Sequence, residues 1–171
     1  MDCGTIQPDE KEGKLLQREK HLFGKALFLA YVLWMLWLLF GQRIGYAQAQ
    51  SYEEYLDHWV NLRPFRTISN YWYAAWRTTD RALLRHIVMN LAGNVLMFVP
   101  LGFFLPLNWL RFRRARWWIP TVGLVLLSIE LLQMVTRLGS LDVDDGILNL
   151  TGAGLGYLVW IIGYRQERNY G

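Results

Sequence analysis

Three polar side chains that could do chemistry lie within one strongly apolar stretch of the chain. Glu130, Gln133 and Arg137 follow one another at i, i+3 and i+7 between Leu126 and Gly139. This spacing places all three on one face of a helix. A carboxyl group so deep in an apolar run is costly, and it indicates a functional site when the run crosses a membrane. Such a face could bind a polar headgroup, or Glu130 could act as an acid or base.

Further polar residues flank this face in the neighbouring segments. Asn90 and Asn94 share a helical face at i, i+4, and Asn149 opens the last apolar run. Between the last two runs stands an acidic turn, Asp142-Val-Asp-Asp145. A purely structural interpretation is open for each: the amides could bond neighbouring helices, and Asp145 could cap the last helix within a solvated turn.

Metal and cofactor chemistry finds little support in the sequence. The aspartates of the acidic turn lack the spacing of an EF-hand. The histidines, His21, His58 and His86, lack ligand spacing, and the single cysteine, Cys3, excludes an internal disulfide and a multi-cysteine cluster. We therefore expect no metal and no cofactor.

The elements that must position these residues are apolar helices. The chain has 171 residues, of which 53% are hydrophobic, with 9 Trp and 9 Tyr, and its concentrated apolar runs have aromatic residues and arginines at their edges. A bilayer requires about 20 apolar residues per helix. We therefore predict an all-α, polytopic membrane bundle with an interfacial extracytoplasmic loop and four transmembrane helices at about 26–41, 87–107, 117–136 and 146–164.

Charge gives this bundle a predicted orientation. Five Lys and Arg residues precede the first span, four lie in the loop at 111–116 and two follow the last span, which makes eleven of the 18. Positive residues favour the cytoplasmic side, so a tail at 1–25 and a tail at 165–171 are both predicted to be cytoplasmic. The net charge of +4 without a basic soluble surface argues against nucleic acid as a partner.

The long connection at 42–85 is predicted to lie on the outer membrane surface. Ser51–Val60 has the pattern of a short amphipathic helix, which Pro64 ends. An aromatic cluster at 71–76 is typical of the headgroup level, and Asp80 could cap the next helix. An Ala-Gln-Ala at 47–49 resembles a signal-peptide cleavage site. We favour a retained anchor because the preceding amino-terminal region is long.

Two features of the spans concern helix packing. Pro100 removes a backbone hydrogen bond, which predicts a kink in the second span. Gly152 and Gly156 form a G-x-x-x-G pair, which allows close helix contact. This pair could pack within the bundle or dock a second copy or a membrane partner.

The predicted topology brings the polar residues to one membrane depth, near the outer leaflet. There they would form an outward-facing pocket for a lipid or a lipid-linked envelope precursor. The side-chain amides would hydrogen-bond the sugar or peptide groups of this ligand. Arg137, and Arg63 as a lid, would hold phosphate. The predicted ligand-binding residues are Asn90, Asn94, Glu130, Gln133, Arg137, Asp142, Asp145, Asn149 and Arg63.

Five motifs, taken in order, resemble those of the VanZ-like family. They are N-L-x-P-F at 61–65, N-x-x-G-N-x-x-x-F-x-P-x-G at 90–102, E-x-x-Q-x-x-x-R at 130–137, D-V-D-D at 142–145 and N-x-x-G-x-x-x-G at 149–156. The resemblance covers about 26–164 as one transmembrane domain. Arg63 departs from the pattern, since an apolar residue is more usual before the proline.

The resemblance implies a small integral protein of the bacterial cytoplasmic membrane. The family's founding member is linked to resistance to teicoplanin and related lipoglycopeptides, which implies lower drug susceptibility here. Two alternatives stay open. One is a membrane enzyme acting on a lipid-linked substrate with Glu130 as acid or base, although no nucleophile elbow or phosphate-cradling loop supports it. The other is a structural subunit of a membrane complex.

Overall fold

The protein is almost entirely helical in the computed structural model, which describes residues 10–41, residue 53 and residues 60–170. Two short strands and a 3-10 turn at Leu110–Arg113 connect the helices. In chain order the elements are α1 (Glu10–Leu39), β1 (Val60–Asn61), α2 (Arg66–Arg77), α3 (Arg81–Asn108), α4 (Ala115–Thr136), β2 (Leu141–Asp142) and α5 (Val143–Tyr170).

Four of these helices are long and apolar enough to cross a membrane. They are Gln17–Leu39 within α1, the whole of α3 and α4, and Val143–Tyr164 within α5. The predicted all-α, four-span architecture is thus confirmed. Helix α1 begins at Glu10, inside the segment predicted as a tail, because the residues from there to Lys25 are mostly good helix formers. Cys3, the Ala-Gln-Ala sequence and nearly all of Ser51–Val60 lie outside the described residues.

Helices α3 and α5 form the closest pair in the bundle. A Cβ atom on Gly152 would overlap the carbonyl oxygen of Val95, and one on Gly156 would overlap that of Val99. The G-x-x-x-G pair therefore brings the backbone of α5 against α3 of the same chain. These glycines are covered within the protein, so a second copy or a partner would have to dock elsewhere.

The apolar core extends from α1 to α4 around α3. Phe98 and Val122 are fully buried at its centre, with Met35 and Leu126 beside them. The Tyr31 hydroxyl donates a hydrogen bond to the carbonyl oxygen of Met97 at 2.8 Å, which ties α1 to α3. Helix α3 continues through Pro100 to its end.

A two-residue parallel pairing joins the loop before α2 to the turn before α5. Val60 pairs with Leu141, and Asn61 pairs with Asp142. Beyond it, Phe65 has a left-handed backbone with φ 64° immediately before α2. The pairing places α2 at the end of the bundle where α4 ends and α5 begins.

Candidate functional site

A cavity of about 370 Å³ lies at this same end of the bundle. Successive membrane helices run in opposite directions, so the ends of α1 and α4 meet the first halves of α3 and α5 there. The lining side chains are contributed by all four helices and the acidic turn: Trp34, Leu38, Leu39, Met89, Asn90, Gly93, Asn94, Leu96, Met97, Glu130, Gln133, Ser140, Asp145 and Asn149.

The two sides of the cavity differ in chemistry. Helix α1 contributes an apolar wall of Trp34, Leu38 and Leu39, whereas α3, α4 and α5 contribute the polar side chains. The close backbone contacts of α1 are made mainly with α3 rather than with α4. The cavity therefore combines apolar side chains from α1 with polar side chains from the other three helices.

Six of the nine predicted ligand-binding residues line this cavity. They come from α3, α4 and α5 and are Asn90, Asn94, Glu130, Gln133, Asp145 and Asn149. The other three, Arg63, Arg137 and Asp142, do not line it. The structure thus gathers the predicted amides and two of the carboxylates, while their role in binding stays a prediction.

Glu130 and Gln133 lie in the last two turns of α4, where both are buried, at 7% and 6% exposure. The Oε2 atom of Glu130 accepts a hydrogen bond from the backbone N–H of Asp142 at 3.3 Å. Glu130 takes part in further interactions as well. This carboxylate therefore links the end of α4 to the acidic turn as well as facing the cavity.

Two amide oxygens in the cavity wall have no hydrogen-bond partner. They are the buried Oδ1 atoms of Asn90 and Asn149, and the whole Asn149 side chain is only 3% exposed. Beside them, Asn94 Nδ2 donates to Asp145 Oδ1. An unpaired buried oxygen is costly, so a hydrogen-bond donor, from water or from a ligand, would stabilise these atoms.

Asp142 has a structural role in place of the predicted cavity position. Its Oδ1 accepts from the Asn61 side chain at 2.9 Å and from the backbone N–H of Asp144 at 2.9 Å. Its Oδ2 accepts from the Thr67 hydroxyl at 2.6 Å. The expectation that Asp145 caps the last helix is therefore corrected. The helix begins at Val143, so Asp142 stands at the capping position.

Asp144 is fully buried and holds the start of α2. Its Oδ1 accepts from the backbone N–H of Phe65, and its Oδ2 accepts from those of Thr67 at 2.7 Å and Ile68 at 3.1 Å. Helix α2 has no side-chain cap from its own residue Phe65. A carboxylate from α5 thus satisfies the first N–H groups of α2 and the positive end of its dipole.

The two predicted phosphate ligands lie outside the cavity. Arg137 follows the last residue of α4 in a left-handed conformation with φ 55° and is exposed. The predicted shared face therefore ends at Gln133, because the helix terminates before Arg137. Arg63 is also exposed, one residue before the turn that leads into α2.

Sequence reasoning missed several residues around the site. Asn61 and Thr67 each donate a hydrogen bond to the Asp142 carboxylate, and Asn61 also donates to the Thr67 hydroxyl at 3.1 Å. Ser140 lines the cavity. The N-L-x-P-F motif contains Asn61, so its position in that motif was the available signal. Asp80, in contrast, caps α3 as predicted, accepting from the Ala82 N–H at 2.8 Å.

Tyr71 on α2 lies close enough to the acidic turn for the aspartates to affect its pKa. Burial raises its pKa above the ordinary value, and the negative charges of Asp145 and Asp142 raise it further. Its ring also contacts His86 edge-on, with the ring centroids 6.2 Å apart. The acidic turn therefore sets the electrostatic surroundings of α2.

Fold and site together define a four-span helical membrane protein with a polar cavity at one end. The chain belongs to the VanZ/LLP1 family, which matches it over residues 26–164. It is 25% identical over 148 residues to Protein VanZ of Enterococcus faecium, an alignment that covers 84% of this chain and 73% of that relative. No solved structure matches the chain.

Proposed function

We propose that this VanZ-like protein binds the headgroup of an envelope lipid or lipid-linked precursor in the cavity, which opens outward in the cytoplasmic membrane of a bacterium. Such binding would hide or remodel the target of lipoglycopeptides such as teicoplanin and so lower susceptibility to them. Family membership and similarity to Protein VanZ support the link to antibiotic susceptibility.

The pairing of an apolar wall with unpartnered amide oxygens carries this proposal. An amphiphile can place its polar group against Asn90 and Asn149 and its chain against Trp34 and Leu38 of α1. Ligand sites are typically concave and mostly apolar, with a few oriented polar groups. A membrane segment that kept two unsatisfied oxygens without such a use would be destabilised.

The position of the arginines supports an outward-facing cavity. Arg111 and Arg113 lie between α3 and α4, at the opposite end of the bundle from the cavity. Arg111 stacks over the Trp117 ring at 4.0 Å from its centroid, and Arg113 lies 4.9 Å from that of Tyr164. Arginines in a short loop between spans are typical of the cytoplasmic side, and aromatic residues are typical of either membrane boundary. This favours the outer side for the cavity.

Native mass spectrometry of the protein released gently from membranes tests the proposal. We expect a discrete co-purifying lipid on the wild type that is lost in Glu130→Gln, accompanied by higher teicoplanin susceptibility of cells carrying that variant. Asn108→Leu is the matched control, because Asn108 is a buried amide at the far end of α3. A lipid retained equally by wild type and Glu130→Gln, with unchanged susceptibility, would contradict the proposal.

The two carboxylates of the cavity favour an enzyme as the second candidate. Glu130 and Asp145 both line the same space, and a pair of carboxylates can serve as acid and base on one substrate. The test is product formation from a labelled membrane lipid extract by the purified protein. Product that disappears in Glu130→Gln supports the enzyme, whereas bound but unchanged lipid supports the binding protein.

A further inference from the structure

The chemical character of the cavity wall limits what its ligand can be. The unpartnered atoms, Asn90 Oδ1 and Asn149 Oδ1, are carbonyl oxygens, which only accept hydrogen bonds. The same wall carries the carboxyl groups of Glu130 and Asp145. Among the lining side chains in the described part of the chain, none is cationic. A ligand that brings hydrogen-bond donors would therefore satisfy these oxygens, and the two carboxyl groups favour positive charge on it.

A phosphate group fits this wall poorly. Its negative charge would face the carboxyl groups of Glu130 and Asp145, and only the uncharged amide and hydroxyl groups of the lining could donate to its oxygens, because Arg63 and Arg137 both lie outside the lining. The N-terminus of α5 could otherwise attract an anion. There, however, the Asp142 carboxylate already accepts the backbone N–H of Asp144 at 2.9 Å.

We propose that the group held in the cavity is a primary ammonium on a lipid headgroup. An ammonium has three donors and no acceptor, which matches a lining with two unpartnered acceptor oxygens and two carboxyl groups. A sugar hydroxyl brings acceptor lone pairs along with each donor, and it brings no charge. This inference rests on the proposed function, because it names the chemistry of the group bound at the same site.

The shape of the site favours a lipid as the carrier of the ammonium. The apolar side chains of Trp34, Leu38 and Leu39 line the same cavity as the oxygens. Trp34 is also 53% exposed, so this apolar lining continues onto the outer surface of α1. A water-soluble amine would donate hydrogen bonds to the oxygens but would make no contact with the apolar side chains. The lipid should therefore bind more tightly than its detached headgroup.

The experiment measures binding of defined lipids to the purified full chain by native mass spectrometry after delipidation. Phosphatidylethanolamine and phosphatidylcholine with identical acyl chains share the phosphate, whereas only the first has ammonium N–H donors. We expect at least about a tenfold preference for phosphatidylethanolamine, since hydrogen bonds to charged groups are the strong ones. Glycerophosphoethanolamine, the headgroup without chains, should compete only at far higher concentration.

Each other outcome of this experiment has a definite meaning. Equal binding of the two phospholipids overturns the ammonium inference and leaves the proposed lipid binding in place. A glucosyl diacylglycerol that binds as tightly as phosphatidylethanolamine also overturns it, in favour of hydroxyl recognition. If glycerophosphoethanolamine competes at the same concentration as the lipid, the acyl chains do not contribute to binding. This overturns the inference that a lipid carries the ammonium. No binding of any lipid overturns both the inference and the proposed function.

Variants separate recognition from folding. Asn149→Leu removes one unpartnered oxygen, so it should abolish the phosphatidylethanolamine preference without lowering the melting temperature. Asn108→Leu, at the other end of α3, should keep the preference. Asp145→Asn provides a second variant, since the amide oxygen of the new side chain can still accept from Asn94. This variant should reduce the preference for phosphatidylethanolamine at least severalfold. Full preference in both Asn149→Leu and Asp145→Asn would refute the inference.

Discussion

The carboxylate of Asp144 accepts the backbone N–H of Thr67 at 2.7 Å, although the two residues are 77 positions apart. This bond joins α2, which is not one of the candidate spans, to the first turn of the last span. Trp72, Tyr73 and Trp76 on α2 are largely exposed, as expected for a helix at the headgroup level. Asp144 therefore holds an interfacial helix beside the end of the bundle where the cavity lies.

Loss of the Asp144 carboxylate should release α2. Asp144→Ala leaves the N–H groups of Phe65, Thr67 and Ile68 without their acceptor, so we expect a loss of about 3 kcal/mol in the free energy of unfolding. Asp80→Ala removes the ordinary exposed cap of α3 and should cost about 1 kcal/mol. Denaturant unfolding in detergent gives both values. Hydrogen exchange at Thr67 and Ile68 that is as slow in Asp144→Ala as in the wild type would show the bond to be unimportant.

Two glycines on α5 provide a matched test of helix packing. In Gly152→Ala the new methyl group meets the backbone of Val95, which cannot rotate away, so we expect a destabilisation of about 1 to 3 kcal/mol. In Gly154→Ala the methyl group meets nothing within 4 Å, so the better helix propensity should stabilise the protein by up to about 1 kcal/mol. Thermal unfolding compares the variants, and equal shifts would mean that α3 and α5 are not in contact at Gly152.

The sequence was sufficient to predict the spans and most of the polar residues that line the cavity. Apolar runs of bilayer length identify helices, and four alternating spans necessarily bring the end of α4 to the start of α5 and α3. This is why the sequence alone predicts one shared end of the bundle for Asn90, Asn94, Glu130, Gln133 and Asn149. Periodicity of residue types was enough for these positions, because each lies well inside a regular helix.

The parts that could not be predicted depend on helix ends and long-range bonds. Arg137 was assigned to a helical face, but α4 ends one residue earlier and Arg137 does not line the cavity. Asp142 and Asp145 were both predicted to line the pocket, but only Asp145 does. Because α5 begins at Val143, Asp142 stands at the capping position instead. The bond from Asp144 to α2 has no local sequence signal, because its partners are backbone N–H groups far along the chain.

Titration of Tyr71 reports on the charge of the acidic turn. Burial and the charges of Asp145 and Asp142 raise the pKa of Tyr71, so in the folded protein it should ionise above the ordinary tyrosine value of about 10. The associated stability is fully present below that value and is lost as the pH rises toward the raised pKa. NMR of protein labelled at the tyrosine Cζ, assigned with Tyr71→Phe, measures the titration.

Removal of one nearby charge separates the two causes. Asp145→Asn should lower the pKa of Tyr71 only in part, because burial is the larger cause. Glu19 is an exposed carboxylate on α1, so Glu19→Gln should leave the pKa of Tyr71 unchanged. A pKa of Tyr71 that is the same in Asp145→Asn and the wild type would place that carboxylate too far away to matter.

A side chain added at Gly93 should close the cavity without disturbing the fold. Gly93 lines the cavity, and a Cβ atom there meets nothing within 4 Å. In Gly93→Leu the added side chain can occupy part of the 370 Å³ space, so ligand binding should fall by at least about tenfold. Helix propensity favours leucine over glycine by roughly 0.8 kcal/mol, so stability should not fall.

Gly123→Leu is the control for the plugged cavity, since Gly123 is exposed on α4 and a Cβ atom there also meets nothing within 4 Å. Both variants replace a glycine within a spanning helix by the same apolar residue, and only Gly93 lines the cavity. Lipid occupancy by native mass spectrometry and thermal unfolding should be measured on the same preparations. If Gly93→Leu retains wild-type occupancy while folding normally, the ligand binds outside this cavity.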